Sequence, residues 1–145
     1  MSTTTTQMPF APIALAEGDS GPEVTVGPIT RTDIVRYAGA SGDFNPIHHD
    51  EEFARAAGMP SVFSIGMHSA GLLGQYLARW VGLGNVRRFG VRFTGQVWPG
   101  DVLTLAGRVQ RVEVAGAERL AHLELTATRQ TGDVVVKGSA VVQIR

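Results

Sequence analysis

At Val86 the spacing of apolar residues changes period, and the chain beyond that point reads as extended structure. Phe89, Val91 and Phe93 alternate with Arg88, Gly90 and Arg92, the two-residue repeat of a strand with one covered face. Trp98-Pro99-Gly100-Asp101 marks a turn. Leu103, Leu105 and Val109 share a parity that Val112 and Val114 break, which predicts a β-bulge near Gln110 and Arg111. Ala115-Gly116-Ala117-Glu118 closes a hairpin, and Ala121, Leu123, Leu125 and Ala127 form the next apolar face. Thr131-Gly132-Asp133 turns into a last strand marked by Val134, Val136, Ala140, Val142 and Ile144. Connections this short join antiparallel neighbours. About four long antiparallel strands result, and their apolar face needs a cover.

The first half supplies helices. Thr30 with Asp33 three residues on has the form of a capping box, and Ile34, Tyr37, Ala38 and Ser41 follow near one face until Gly42. Pro46 disfavours the helical region for Asn45, so residues 43–49 are not regular helix. Asp50 is placed as an N-cap, with Glu51 and Glu52 in the first turn of a short helix through Ala57. Gly66 to about Val81 is the longest helical stretch. Gly66, Ala70, Gly74 and Ala78 recur every four residues as a ridge of small side chains, with Gly71 alongside. Glycine inside a helix costs roughly 0.5–1 kcal/mol, so several need a reason. Close packing against a sheet is one; a loop in place of the helix is the alternative. The fold class is α+β, with residues 9–145 as a single domain after a tail over residues 1–8.

Thirteen basic residues balance thirteen acidic ones, which disfavours a nucleic-acid partner and makes self-association plausible. The absence of cysteine rules out disulfides, a thiolate nucleophile and a cysteine zinc site. The amino terminus has no signal-peptide pattern and no run reaches membrane-spanning length, so a soluble, cytoplasmic protein is expected. Gly82-Leu83-Gly84-Asn85 lacks the third glycine of a dinucleotide fingerprint. Gly66-Met67-His68-Ser69-Ala70-Gly71 misspaces the serine of a nucleophile elbow. His48, His49, His68 and His122 have no metal-ligand spacing, and no metal is expected. Arg87, Arg88 and Arg92 are read as solvated strand charges, with contact to an anionic ligand phosphate as the sharper alternative.

Asp43 and His48 are separated by Asn45-Pro46. In a helix they would diverge; in a loop fixed by proline they can converge. An imidazole beside a carboxylate suits general acid–base chemistry, and Asn45 can brace the loop through an Asx-turn. A purely structural pair, or an exposed one, is the other reading of these residues alone.

Gly42-Asp43-Phe44-Asn45-Pro46-Ile47-His48 resembles the Asp-x-Asn-Pro-[Leu/Ile/Val]-His signature of the MaoC-like, (R)-specific enoyl-CoA hydratase family. The order of features around it is also similar: a Tyr-Ala-x-x-Ser helix end before it, His-x-Asp and a short helix after it, Gly66-Met67 opening a long helix, and Pro99-Gly100-Asp101 behind an aromatic-rich strand. The resemblance covers about residues 25 to 145. It implies a hot-dog fold, an antiparallel sheet wrapped round one long helix, in a homodimer or a heteromer with a second hot-dog chain. It further implies Asp43 and His48 as the catalytic pair, Asn45 as loop support and the Gly66 N–H as donor to a thioester oxygen. The activity implied is reversible hydration of a 2-enoyl thioester carried on coenzyme A, or alternatively on an acyl carrier protein, with no cofactor. Asp43 and the first histidine fit the signature, so His49 is expected to be a bystander. Ile65-Gly66-Met67 departs from the His-Gly-Met of many members. Residues 69–82 look similar to the small catalytic subunits of relatives split between two chains, as in mycobacterial fatty-acid dehydratases and actinobacterial steroid side-chain hydratases. A non-catalytic, partner-completing subunit and a hot-dog thioesterase are the rival readings.

Overall fold

The computed structural model describes residues 7–145, so residues 1–6 of the expected tail lie outside the described residues. In chain order the elements are β1 (Val24–Val26), α1 (Arg31–Ser41), α2 (Glu51–Ala56), α3 (Gly66–Val81), β2 (Val86–Phe93), β3 (Leu103–Ala115), β4 (Glu118–Arg129) and β5 (Val134–Ile144). The strands form one antiparallel sheet in the order β1-β3-β4-β5-β2. The four long strands are those expected, but β2 pairs with β5 and not, as its short connection implied, with β3; β1, only three residues long, is an addition.

The inner sheet face is built by the predicted alternation. Leu103, Leu105 and Val109 of β3, Ala121, Leu123, Leu125 and Ala127 of β4, and Val136, Ala140, Val142 and Ile144 of β5 are buried against Leu73, Tyr76, Leu77 and Val81 of α3. The bulge falls where parity placed it, between Val109 and Arg111. Val112 still packs at the core margin, but Val114 is 74% exposed, because the hairpin runs past the covered area. A second irregularity, between Ala127 and Thr128, buries Val135 along with Val136 in place of the expected Val134.

The helix α3 is continuous through its glycines, and the loop alternative falls. Its small-residue ridge admits the edge strand: a Cβ on Gly66 would stand 3.2 Å from the Phe93 ring, and one on Gly74 would stand 3.4 Å from Phe89. Gly71 is the exception, since a Cβ there would meet nothing within 4 Å. β2 thus runs antiparallel to α3 along the ridge. Among the described residues its outer edge has no strand partner, and Phe89 and Phe93 remain 38% and 49% exposed.

Candidate active site

Residues 41–50 form a compact series of side-chain-to-backbone bonds. α1 ends at Gly42, which takes the left-handed conformation (φ 73°) and donates its N–H to Ala38 O. Asp43 Oδ1 accepts the Asn45 N–H at 3.2 Å, and Asn45 Oδ1 accepts the Ile47 N–H at 3.1 Å. Pro46 then opens a single 3₁₀ turn, Pro46–His48, where its missing N–H is not needed. The Asp50 N–H closes the loop on Pro46 O at 2.7 Å, and Asp50 Oδ1 caps α2 by accepting from Phe53 N–H at 3.0 Å.

The turn carries His48 inward and leaves His49 exposed. His48 is 8% exposed, and its Nδ1 lies 2.7 Å from the carbonyl oxygen of Phe63. A carbonyl can only accept, so Nδ1 carries the proton and neutral His48 presents a lone pair at Nε2. That nitrogen faces Asp43 Oδ2 at 3.9 Å. The separation is too long for a direct hydrogen bond and suits one shared water. Asp43 remains 41% exposed at its side chain, which gives the pair access to solvent.

Support for His48 comes from a second loop. The Phe63 ring meets His48 edge-on at 5.0 Å and Trp98 at 5.7 Å. Trp98 is held by the turn that ends at Asp101. The Asp101 carboxylate accepts from Trp98 N–H at 2.8 Å, Arg129 Nε at 2.7 Å, Arg129 Nη2 at 3.1 Å and Gln130 Nε2 at 2.8 Å. Burial alone would raise the Asp101 pKa, but these donors and the Arg129 charge outweigh it and hold the carboxyl below its ordinary value.

Three residues beyond Phe63, Gly66 opens α3. Its N-cap, Ile65, makes no side-chain capping bond; the His68 N–H turns back to Ile65 O at 2.9 Å, and the Gly66 N–H stands at the exposed start of a 16-residue helix. A cavity of about 160 Å³ lies beside it, lined by residues that include Phe63, Ser64, Gly66, Ser69 and Phe93. Asp43 and His48 are not among its lining residues.

The arginines separate. Arg87 is engaged by Glu118 at 2.8 Å, by Gly84 O at 2.9 Å and by Gln143. Arg88 and Arg92 are exposed on the sheet face opposite Phe89 and Phe93, which face α3. Among the described residues no cluster of three His, Cys, Asp or Glu could hold a metal ion, and no helix is long and apolar enough to cross a membrane. Sequence reasoning had no means of finding the Phe63 carbonyl as the partner of His48, since a backbone acceptor has no sequence signature.

Residues 16–131 match the family described as the MaoC like domain. The 3-hydroxybutyryl-CoA dehydratase of Methylorubrum extorquens is 32% identical over 125 residues, which cover 84% of this chain and 77% of that protein. Among solved structures, the (R)-hydratase from A. caviae involved in PHA biosynthesis has a TM-score of 0.78 and 25% identity, covering 91% of this chain and 98% of its own. The ChsH1-ChsH2 complex from Mycobacterium tuberculosis matches with the same TM-score, 0.78, and 25% identity, over 91% of this chain and 100% of the matched one. The chain is also similar to fungal fatty acid synthase β subunits, of whose length it spans 5–6%. The chain belongs to the MaoC-like hydratase/dehydratase family, and its five-stranded sheet round α3 is the hot-dog fold.

Proposed function

We propose that this MaoC-like domain adds water reversibly to a 2-enoyl thioester, with coenzyme A as the carrier, to give an (R)-3-hydroxyacyl thioester. The observation that carries the reading is the 3.9 Å separation of His48 Nε2 and Asp43 Oδ2, two acceptors within reach of a single water. Asn45 N–H occupies Asp43 Oδ1, and Phe63 O fixes the proton on His48 Nδ1, so the two remaining acceptors can receive the two protons of one water. The activities for which the bacterial dehydratase and the (R)-hydratase are named favour the same chemistry.

In the hydration direction the water oxygen attacks C3 of the enoyl group while the Asp43–His48 pair takes up its proton. The C2=C3 electrons move toward the carbonyl, so negative charge builds on the thioester oxygen. The Gly66 N–H, at the positive end of α3, is the donor for that oxygen. A proton is then delivered to C2, and the net change is H at C2 and OH at C3. Dehydration runs through the same groups. No cofactor enters this scheme.

The partner is a second hot-dog chain, identical or different, consistent with the unpaired edge of β2 and with the two-chain complex among the solved relatives. A catalytic homodimer hydrates crotonyl-CoA when purified alone; a chain that needs a different partner does so only when co-expressed with it. Size-exclusion chromatography with light scattering distinguishes the assemblies.

The mechanism is tested by hydration of crotonyl-CoA and longer enoyl-CoA esters. Asp43→Asn and His48→Ala should each lower turnover at least about 100-fold, in line with acid–base help of roughly 10²–10⁴-fold, while His49→Ala keeps most of it. Full activity in either of the first two variants refutes the pair. For the oxyanion donor, Gly66→Pro removes the N–H at a helix position where proline is tolerated, and Ile65 already has the extended conformation that proline requires (φ −70°, ψ 131°). Gly66→Ala is its control, because both place a Cβ against Phe93. The proline variant should lose a further factor of roughly 10²–10³ in kcat; equal activity in the two removes Gly66 from the mechanism.

A further inference from the structure

The turn Val62-Phe63-Ser64-Ile65-Gly66 carries two backbone groups that the proposed chemistry needs: the Phe63 carbonyl on His48 and the Gly66 amide. Between them stands Ser64, a buried residue whose N–H donates to Val97 O at 2.8 Å. Its Oγ lies 3.1 Å from Nδ1 of His68, in the first turn of α3. The His68 ring stacks on Tyr37 of α1, with centroids 5.0 Å apart and planes 26° from parallel. The facing charge on α1 is Asp33, whose carboxylate is already held by Thr30 N–H at 2.8 Å and Thr30 Oγ at 2.7 Å, with Arg36 acting on it as well. His68 is therefore fixed on one side by α1 and bonded on the other to the middle of the turn. Burial holds its pKa below the ordinary histidine value against the opposing pull of Asp33, so the imidazole is neutral at neutral pH.

We propose that His68 and Ser64 are a positioning pair, which sets the 63–66 turn and with it both the tautomer of His48 and the placement of the Gly66 amide. Neither residue touches the reacting atoms. Without the bond, Ser64 is held by its backbone alone, and the Phe63 carbonyl can rotate from His48 Nδ1. Neutral His48 then divides between its two tautomers, and one of these puts a proton where the shared water needs a lone pair. A histidine two positions after the helix start thus acts on a turn where many family members carry a histidine directly before the glycine; Ile65 stands at that place here.

The inference rests on the proposed hydratase reading, and its test has a readout independent of turnover. Protein labelled with ¹⁵N in histidine reports the His48 tautomer by NMR, with His48→Ala assigning the signal. The wild-type chain should hold the Nδ1–H form. His68→Ala and Ser64→Ala should each give a mixture and lower kcat roughly 10–100-fold with KM altered less than about twofold. The double variant should lose no more than the worse single one, since both break one bond. His68→Asn, whose side chain can still pair with Ser64 Oγ, should recover most of both signals. If His68→Ala does not fold by circular dichroism, the smaller change Ser64→Ala carries the test. Folded variants that keep the Nδ1–H form and wild-type kcat overturn the proposal. A tautomer shift in a protein with no hydratase activity would uphold the positioning pair and reject the hydratase reading.

Discussion

Replacing Arg129 by methionine should produce one of the larger stability losses available in this molecule. Asp101 is 5% exposed at its side chain and accepts two bonds from the Arg129 guanidinium, at 2.7 and 3.1 Å. The methionine would leave a buried carboxylate with only the Trp98 N–H and Gln130 as donors. Removing one partner of a buried pair typically costs about 3–5 kcal/mol, far more than losing a surface pair. At about 3 °C per kcal/mol for a chain of this size, the melting temperature should fall roughly 10–15 °C. Asp101→Asn should cost less, about 1–3 kcal/mol, because Arg129 keeps Asp133 at 3.3 Å and Asn can still accept from Trp98 N–H. The double variant Asp101→Asn/Arg129→Met buries no charge, so it should be more stable than Arg129→Met alone. The pH dependence has a definite sign. The folded-state pKa of Asp101 is depressed, so the pair's contribution is complete above the unfolded value of about 3.9 and fades as pH falls through the lower folded value. Urea melts followed by circular dichroism at pH 7 and at pH 3 would show a gap between wild type and Arg129→Met that narrows in acid. A loss under about 1 kcal/mol at pH 7, or a double variant as unstable as the sum of the singles, would refute the account.

Thr30→Ala removes the side chain that accepts Asp33 N–H at 3.1 Å in the α1 capping box, and chemical denaturation should register a loss of about 1 kcal/mol. Tyr76→Phe deletes a buried hydroxyl without a hydrogen-bond partner among the described residues, so stability at pH 7 should be unchanged or slightly higher; a loss beyond about 1 kcal/mol would reveal a partner. Burial pushes the Tyr76 pKa up to about 12, so the wild-type chain should lose stability as pH rises from about 10 toward 12, and the phenylalanine variant should lose less in denaturant titrations across that range. Gly107→Ala would bring a Cβ to 2.7 Å from the Trp80 ring and 2.8 Å from Leu125, and thermal melts should show a loss of roughly 1–3 kcal/mol from overpacking.

What was legible in the sequence followed local rules. α3 begins and ends where the glycines around its apolar face place it, and the β3 bulge was visible because one extra residue reverses the parity of every apolar side chain after it. β1 was not legible. Three residues, Val24–Val26, show no period, and they are strand only because they pair with Leu103–Leu105. Val114 keeps the apolar identity of a core residue but lies where α3 no longer covers the sheet. At the site, Asn45-Pro46 foretold a loop that turns one histidine toward Asp43, and His48 is the one turned inward. The partners that fix the ring were hidden, because Phe63 acts through its carbonyl across fifteen positions and Asp101 acts on it at two removes.

Phe63 is where these separate supports meet. Its ring contacts Trp98 and His48, its carbonyl bonds His48, and its neighbour Ser64 ties it to α3. Such redundancy has a geometric reason. Two acceptors can share one water only while each lies about 2.8 Å from its oxygen, which bounds their separation at roughly 5.6 Å. His48 Nε2 and Asp43 Oδ2, at 3.9 Å, lie inside that window. Closure by about 1 Å would let a protonated His48 bond Asp43 directly and leave no place for the proposed water; opening by about 2 Å would put a single shared water out of reach. Asp43 is placed by its own short loop and is half exposed, so the tolerance must be met from the other side. A backbone carbonyl bonded to Nδ1, braced by edge-on aromatic contacts and a buried ion pair, would supply that rigidity without adding a charge to compete for the proposed water.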